Sequence, residues 1–354
     1  MESWSHVDHT REAGIVAGRR VGPYELESIL GRGGVGAVYL AHRADGQFEQ
    51  RLAIKLIDLP LATDLFRQRF RLERQILAGL NHPNIARLLD GGATEDGELY
   101  LAMEYAEGIP VDAYCRQQCL NVPARLSLFK TICGAVQYAH QNLVVHRDLK
   151  PANILVLAGG APKLLDFGTA KLHSFTPQYA SPEQILGDPI TTSSDTYSLG
   201  VLLYLLLTGA PPYELKEFTT AEMLRVICQI QPDKPSAHSN SAIGCLDADL
   251  DAIILKALRK EPLGRYLTVD QFAGDIQAYL DGRPVAARHG TLRYQAGKFV
   301  RRNRMALAAA TLLGLSLLAW RRGSVVAGKN CRRPKAQSRS SLEGPPTAQH
   351  QPLI

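Results

Sequence analysis

One short stretch of the chain carries side chains that could move a phosphoryl group. Asp148 is followed by Lys150 two residues later and by Asn153 five residues later, and Asp166 begins an Asp-Phe-Gly triplet downstream. An acid, a cation and an amide at this spacing suit the transfer of a phosphoryl group from a metal-bound nucleotide to a hydroxyl. The preceding residues are then expected to hold the nucleotide, and the following residues to hold the acceptor.

A glycine-rich segment lies near the start of the chain. Residues 24–30 alternate as a strand does, and residues 37–41 favour a second strand. The glycines between them have G-x-G-x-x-G spacing and comprise Gly31, Gly33, Gly34 and Gly36. A dinucleotide-binding fingerprint needs a helix directly after its glycines, so a strand–turn–strand flap is predicted instead. Its backbone amides could approach phosphate oxygens without obstruction by a Cβ, although a plain glycine-rich hairpin stays open as an alternative.

A lysine and a glutamate follow in elements that could face the same nucleotide. Lys55 interrupts the apolar run 52–57, which favours a strand, and Glu73 lies in a predicted helix over residues 64–80. The predicted buried face of that helix comprises Phe66, Phe70, Ile76, Leu77 and Leu80. Lys55 could simply be solvated, and Glu73 could simply pair with a neighbouring arginine. The functional alternative is a Lys55–Glu73 ion pair that fixes the lysine over phosphate groups.

The elements after this helix predict a change of architecture. Residues 85–90 and 99–105 favour two further strands, joined by a Gly/Asp-rich turn. Residues 111–118 and 123–141 then have helical spacing, with Pro123 in a first turn that suits a helix start. A small β-rich unit followed by a helical one is therefore expected, with a cleft between them.

These motifs together resemble a eukaryotic-type protein kinase domain over residues 24–280, and within that family the bacterial Ser/Thr kinases. The ordered set that carries the resemblance comprises the glycine segment with Val38, Ala53-Ile54-Lys55, Glu73, His146-Arg147-Asp148, Asn153, Asp166-Phe167-Gly168 and Ser181-Pro182-Glu183. The resemblance implies an α+β, bilobal fold, with a small β-rich N-lobe containing one key helix and a larger helical C-lobe. It also implies ATP and Mg²⁺ as cofactors and protein Ser/Thr hydroxyls as acceptors.

The resemblance also implies the catalytic roles. Lys55 would hold the α- and β-phosphates, oriented by Glu73, and Asp148 would accept or orient the proton of the acceptor hydroxyl. Lys150 would neutralise the γ-phosphate, at a position similar to that in Ser/Thr rather than Tyr kinases. Asp166 and Asn153 would supply oxygen ligands to Mg²⁺.

The adenine contacts follow from the same resemblance. Val38 and Ala53 would cover the adenine ring with apolar groups. The Glu104 carbonyl and the Ala106 N–H would offer hydrogen bonds to the adenine edge, and Met103 would sit at the back of the pocket.

One segment departs from the family pattern. Only residues 169–180 separate the Asp-Phe-Gly triplet from Ser181, so the usual phospho-acceptor segment looks deleted. Arg147, of the type that pairs with a phosphorylated loop, would then lack its partner. Thr176 still matches the substrate-proximal threonine of Ser/Thr kinases. An active protein kinase is expected, with a nucleotide-binding scaffold of weak turnover as the alternative and a small-molecule kinase disfavoured by Lys150.

The resemblance also implies structural roles for two residues in the later part of the chain. Asp195, at the start of a very apolar helix, would anchor the backbone of the catalytic loop. Arg265 matches the arginine that pairs with Glu183 in the family.

Charge is distributed unevenly along the chain. The net charge is +6, but residues 281–354 carry a balance of +12 and residues 1–280 a balance of −6. The basic pI therefore belongs to the tail, and nucleic acid is not expected as a partner. The six cysteines form no CxxC pair, which indicates reduced thiols in a cytosolic domain, and the polar N-terminus predicts no secretory signal peptide.

The tail predicts a membrane attachment. Residues 305–320 contain no charge and end on Trp320, with arginines on both sides. Sixteen residues of helix span roughly 24 Å, short of a hydrocarbon core of about 30 Å, and a buried or surface-lying helix is the alternative. The predicted division is a flexible leader 1–22, N-lobe 23–107, C-lobe 108–280, basic linker 281–304, an apolar transmembrane helix 305–320 and a disordered tail 321–354. A single-pass inner-membrane protein with a cytoplasmic kinase domain is expected, and a homodimer formed through the tail is an open alternative.

Overall fold

The computed structural model describes residues 17–33, 36–46, 49–57, 64–167, 176–214, 219–238, 243–288, 292–304 and 307–316. The chain divides into two compact units, Met1–Gln295 and Ala296–Ile354. All the predicted catalytic residues belong to the first unit.

The first unit begins with an antiparallel sheet of six strands in the order β1-β2-β3-β4-β6-β5. The strands are β1 (Arg20–Val21), β2 (Tyr24–Gly33), β3 (Gly36–Arg43), β4 (Arg51–Ile57), β5 (Leu88–Ala93) and β6 (Leu99–Glu104). The short β1 falls within the predicted leader, since Arg20 and Val21 pair with β2. Strand β5 begins three residues later than the alternation suggested.

The central strand β4 places Lys55 among the predicted adenine contacts. Lys55 lies directly opposite Val38 on β3 and opposite Leu101 on β6, while Ala53 lies opposite Met103. Directly paired residues share a face of a sheet, and residues two apart on one strand share it too. The register therefore puts Val38, Ala53 and Lys55 on one face.

Of the predicted buried face of the helix that carries Glu73, Phe70, Leu77 and Leu80 are buried and Ile76 is not. Helix α1 (Asp64–Ala78) buries Phe70 and Leu77, and Phe70 joins an apolar cluster with Leu101 of β6. Ile76, predicted to be buried, is 51% exposed and lies beside the exposed Leu72. Both Ile76 and Leu77 are apolar, so the hydrophobic pattern alone did not show that Leu77 is buried and Ile76 exposed.

The helical part of the first unit surrounds one large core. Its helices are α2 (Val111–Gln117), α3 (Val122–Gln141), α4 (Pro182–Leu186), α5 (Thr192–Thr208), α6 (Thr220–Gln229), α7 (Ala248–Ala257) and α8 (Val269–Leu280). A small sheet of β7 (Gly108–Pro110), β8 (Ile154–Leu157) and β9 (Pro162–Leu164) lies beside them. Phe129 of α3 meets Phe272 of α8 edge to face at 5.5 Å. Helix α5 is buried along nearly its whole length, so it forms the axis of this core.

The basic linker contains helix α9 (Leu292–Arg302), and residues 307–316 are also helical. Within the residues that the structure describes, no helix is long and apolar enough to cross a membrane. Of the predicted span 305–320, residues 305, 306 and 317–320 lie outside those residues.

Candidate active site

Helix α5 anchors the loop that carries Asp148 through hydrogen bonds to the loop backbone. Asp195, in the first turn of α5 and 1% exposed, accepts hydrogen bonds from the backbone N–H of His146 at 2.8 Å and of Arg147 at 2.9 Å. His140 of α3 contacts the same carboxylate at 2.7 Å through Nε2. The anchoring role expected of Asp195 is therefore present, and a buried carboxylate is satisfied by three donors.

His146 is a structural neighbour of Asp148, the predicted catalytic residue. Its Nε2 lies 2.8 Å from the carbonyl oxygen of Leu165, so this nitrogen donates, and its Nδ1 accepts from the backbone N–H of Asp148 at 3.3 Å. Complete burial lowers the pKa of His146 below its ordinary value, which favours the neutral ring. The ring also packs against Phe167, with centroids 4.7 Å apart. The imidazole thus fixes the direction of the Asp148 backbone.

Three side chains from two segments converge on Asp148. Asn153 donates from Nδ2 to the Asp148 carbonyl at 2.7 Å and to its Oδ2 at 2.9 Å. The Lys150 ammonium lies 3.0 Å from the same Oδ2 and donates to the Thr176 hydroxyl at 2.7 Å, which in turn donates to Asp148 Oδ1 at 3.3 Å. The structure therefore brings together three of the predicted site residues. Thr176 extends the set into the segment that precedes α4.

Lys55 pairs with Asp166 rather than with Glu73. The Lys55 ammonium, 5% exposed as a residue, donates to Asp166 Oδ1, which joins the small sheet-rich part to the helical part. Asp166 has a φ of +51°, a left-handed conformation that is uncommon outside glycine and that persists only where the surroundings over-determine it. The predicted Lys55–Glu73 ion pair is therefore absent from this structure.

Glu73 is left in a partly buried position without a counter-ion in contact. It makes no hydrogen bond or ion pair with any residue that the structure describes. Burial raises the pKa of Glu73 to about 7, and the positive charge of Arg147 opposes this rise without cancelling it. Near neutral pH the carboxyl group is therefore divided between its neutral and charged forms.

Arg147 is the second incompletely satisfied group. Its Nε is buried without a hydrogen-bond partner among the described residues, and its φ is +70°. The backbone carbonyl of Arg147 accepts from the side chain of Gln184 in α4 at 2.7 Å. Gly168 and residues 169–175 lie outside the described residues. This is the segment that the sequence predicts to lack a phosphorylated partner for Arg147.

The glycine segment forms the predicted hairpin. Gly31 lies opposite Val38, and Gly33 lies opposite Gly36, so β2 and β3 pair along the glycine segment. Gly36 has a φ of +136°, which L side chains rarely adopt. Gly34 lies outside the described residues. The two strands predicted on either side of the glycines are thus confirmed as an antiparallel pair, and Val35 also lies outside the described residues.

The residues predicted to contact the adenine edge lie at the end of β6 and just after it, at the join between the two parts of the unit, which we call the hinge. Glu104 ends β6, and Ala106 lies in the segment that leads to β7. The side chain of Glu104 pairs with Lys163 of β9 at 2.8 Å and accepts from the backbone N–H of Arg87 at 3.2 Å. Lys163 is 8% exposed and also donates to the Pro83 carbonyl at 3.1 Å. Sequence reasoning missed Lys163, because a lone lysine in an apolar run carries no spacing signal.

The donor set fits Mg²⁺. Asp166 and Asn153 offer one carboxylate and one amide, and the part of the chain that the structure describes contains no cluster of three His, Cys, Asp or Glu side chains that could hold a metal ion. Mg²⁺ usually takes one or two protein side chains and completes its shell with phosphate oxygens and water. A fully protein-built metal site is not required for this fit.

A buried ion pair supports the segment next to the site. Arg265 forms a fork with Glu183, at 2.7 Å and 2.8 Å to its two oxygens, and Ser194 donates to the same carboxylate at 2.7 Å. Burial raises the pKa of Glu183, but the hydrogen bonds from Arg265 outweigh it and hold the pKa below its ordinary value. The predicted Glu183–Arg265 pair is confirmed.

Comparisons with known proteins agree with this geometry. The sequence pattern of the protein kinase domain matches residues 24–273. The chain is 39% identical over 282 residues to the serine/threonine-protein kinase PknB of Mycobacterium tuberculosis, covering 75% of this chain and 44% of that protein. It is 34% identical over 294 residues to the serine/threonine-protein kinase PrkC of Bacillus subtilis, covering 79% and 44%. The chain thus spans less than half the length of these curated relatives. Among solved structures, the PknI kinase domain of M. tuberculosis matches with a TM-score of 0.60 and 30% identity, over 75% of this chain and 98% of that one.

Proposed function

The chain belongs to the protein kinase family, and we propose that it is a serine/threonine protein kinase that transfers the γ-phosphoryl group of ATP to protein hydroxyls. One observation carries the proposal, namely the hydrogen-bonded cluster of Asp148, Lys150, Asn153 and Thr176. It combines an acid that can take up a proton, a cation and an amide at one point. Phosphoryl transfer depends mainly on positioning and charge stabilisation, which such a cluster supplies.

Each residue has a defined task in this reaction. Asp148 orients the acceptor hydroxyl and takes its proton, and Lys150 stabilises negative charge on the group being transferred. Lys55 would hold the nucleotide phosphates, and Asp166 and Asn153 would hold Mg²⁺, which would supply charge neutralisation to the phosphate oxygens. Because Lys55 and Asp166 now pair with each other, they must separate to take up phosphate and metal.

The acceptor is expected to be serine or threonine. Lys150 reaches Thr176 across the site, so the acceptor enters beside a threonine hydroxyl that is already bonded to Asp148. This arrangement leaves the acceptor oxygen close to the catalytic acid. The bacterial relatives described above are serine/threonine-protein kinases.

The test is phosphoryl transfer by the full chain with labelled Mg-ATP, using the protein itself and a generic protein acceptor. Incorporation, read by intact mass and by phosphoamino-acid analysis, should fall on Ser and Thr. Asp148→Asn should reduce transfer by about three orders of magnitude, and Asp96→Asn, at an exposed turn, should leave it unchanged. Thermal stabilisation by Mg-ATP without any transfer would refute the kinase and establish the nucleotide-binding scaffold instead.

The proposed location is the inner membrane, with the kinase domain in the cytoplasm. The uncharged run 305–320 between two basic segments supports it, as does the cytoplasmic supply of ATP. The full chain should stay in the membrane fraction after an alkaline carbonate wash, and Leu313→Arg should release it. A full chain found only in the soluble fraction would exclude the location. Self-association through this tail would be measured on the same membranes by chemical cross-linking.

A further inference from the structure

A cavity beside the hinge has no part in the reaction described above. Its volume is about 320 Å³, within the range of small-molecule sites. The residues that matter for its chemistry are Arg51, His82, Arg87, Glu104, Tyr105 and Lys163. We name it the hinge-side cavity. Of the residues assigned to the nucleotide, only Glu104 lines it.

The lining is positively charged within a domain that is acidic overall. Arg51, Arg87 and Lys163 are the cations of the lining, and Glu104 is its carboxylate. Glu104 is already neutralised, because Lys163 pairs with it at 2.8 Å and the Arg87 backbone donates to its other oxygen. Two arginines are therefore left over in the lining. Residues 1–280 carry a net charge of −6, so this surplus is not a reflection of the surrounding composition.

The two arginines are incompletely used by the protein. The guanidinium of Arg87 makes no hydrogen bond or ion pair with any described residue. The guanidinium of Arg51 lies 5.4 Å from the centre of the Tyr105 ring, and its approach to Glu27 is a long 3.9 Å. Glu27 is itself engaged by His42 at 2.9 Å. Planar guanidinium groups bind carboxylate and phosphate oxygens in a two-pronged manner, so a pair of them beside a cavity suits an oxyanion.

We propose that the hinge-side cavity binds a compact polyvalent oxyanion, a phosphate ester or a polycarboxylate, between Arg51 and Arg87. Lys163 and Glu104 also line the cavity and form an ion pair with each other. The ligand is expected to bind without breaking this pair. The ligand would contact the segment that carries Glu104 and Tyr105. The proposal goes beyond the kinase activity and does not depend on it, because binding is measured directly.

The test is isothermal titration of the full chain, without nucleotide or metal, at 0.15 M salt. Pyrophosphate and citrate serve as the two probes, so the phosphate and carboxylate forms of the ligand are distinguished. Arg51→Ala and Arg87→Ala should each weaken binding of the preferred probe about tenfold. Both arginines are exposed, and unchanged melting temperatures would show that the variants fold.

Two control variants separate this site from other cationic parts of the chain. Lys55→Ala removes the cation of the nucleotide site, and Arg71→Ala removes an exposed arginine of α1. Both should leave the affinity unchanged. Loss of binding in Lys55→Ala would place the probe at the nucleotide site and overturn the proposal. Binding that is insensitive to Arg87→Ala, or no binding by either probe at 10 mM (about 3 kcal/mol), would overturn it as well.

Discussion

The isolated carboxyl group of Glu73 leads to an unusual prediction, namely that its removal stabilises the nucleotide-free protein. Burial raises the pKa of Glu73 from 4.5 to about 7. Each pKa unit corresponds to about 1.4 kcal/mol, so the full shift would amount to about 3 kcal/mol. Because Glu73 keeps some contact with solvent, we reduce this figure to about 2 kcal/mol.

The sign follows from proton linkage. Between pH 4.5 and pH 7 the folded protein binds a proton at Glu73 that the unfolded chain has released, so this residue lowers the free energy of unfolding as pH rises. Above pH 7 the penalty is complete. Glu73→Gln carries no charge at any pH and removes the penalty. The variant should therefore exceed the wild type by about 0.5 kcal/mol at pH 5 and about 2 kcal/mol at pH 8.

Thermal melting of the full chain without nucleotide measures this difference. A gain of about 2 kcal/mol corresponds to roughly 4–8 °C for a domain of this size. Glu95→Gln, at an exposed turn, is the matched control and should shift the melting temperature by less than about 1 °C. A Glu73→Gln variant that melts below the wild type at pH 8, or a difference independent of pH, would show that the carboxylate is ionised and paired.

The same variant should behave oppositely once Mg-ATP is present. With Mg-ATP bound, Lys55 and Asp166 would no longer pair with each other, and Glu73 is then the carboxylate expected to orient the freed lysine. Mg-ATP should therefore raise the melting temperature of the wild type more than that of Glu73→Gln, and kcat of the variant should be lower. An equal ligand-induced shift in both proteins would mean that Glu73 does not engage Lys55 in the loaded state.

Three further outcomes are expected. Arg265→Ala leaves the Glu183 carboxylate buried without its partner and should lower the free energy of unfolding by about 3–5 kcal/mol, seen as a large loss in melting temperature; a change below 1 kcal/mol would contradict it. Thr176→Val removes the hydroxyl between Lys150 and Asp148 and should reduce kcat at least tenfold with little change in the KM for ATP, whereas Thr176→Ser should restore it. Burial lowers the pKa of Lys260 to about 8, so raising the pH through 8 removes a charge that the fold disfavours. The stability of the wild type relative to Lys260→Met should therefore rise between pH 7 and pH 9.5. A difference that does not change with pH would refute the lowered pKa of Lys260.

The elements that form the site were largely predictable from local pattern. The glycine hairpin, the strand that contains Lys55 and the helix that contains Glu73 follow from periodicity over a few residues. The exposure of Ile76 was not predictable, since Ile76 and Leu77 are both apolar and only tertiary packing selects Leu77 for burial in the large core. The start of β5 also differs from the predicted one, because hydrogen bonding between β5 and β6, rather than composition, decides where the strand begins.

The predicted membrane attachment is not decided by the sequence pattern alone. An uncharged run with basic flanks predicts a span, but a run of sixteen residues is short for a hydrocarbon core, and only residues 307–316 of it are described. In the described part of the chain no helix meets the length and hydropathy of a span. The location therefore rests on the experiment with Leu313→Arg.

The sequence by itself identified the residues of the proposed chemistry: an acid, a cation, two candidate metal ligands and a glycine hairpin occur in the order expected for phosphoryl transfer. It did so because residue type and short spacing are enough to specify each motif. Only the tertiary structure decided which charges meet. Lys55 could pair with Glu73 or Asp166, and Lys163 gave no sign of its contact with Glu104, because the choice of partner depends on distances of a few ångströms between elements far apart in the chain. Electrostatic energy falls off with that distance and rises with burial. The placement of these side chains, rather than the motifs, therefore decides which ion pairs form in the nucleotide-free site.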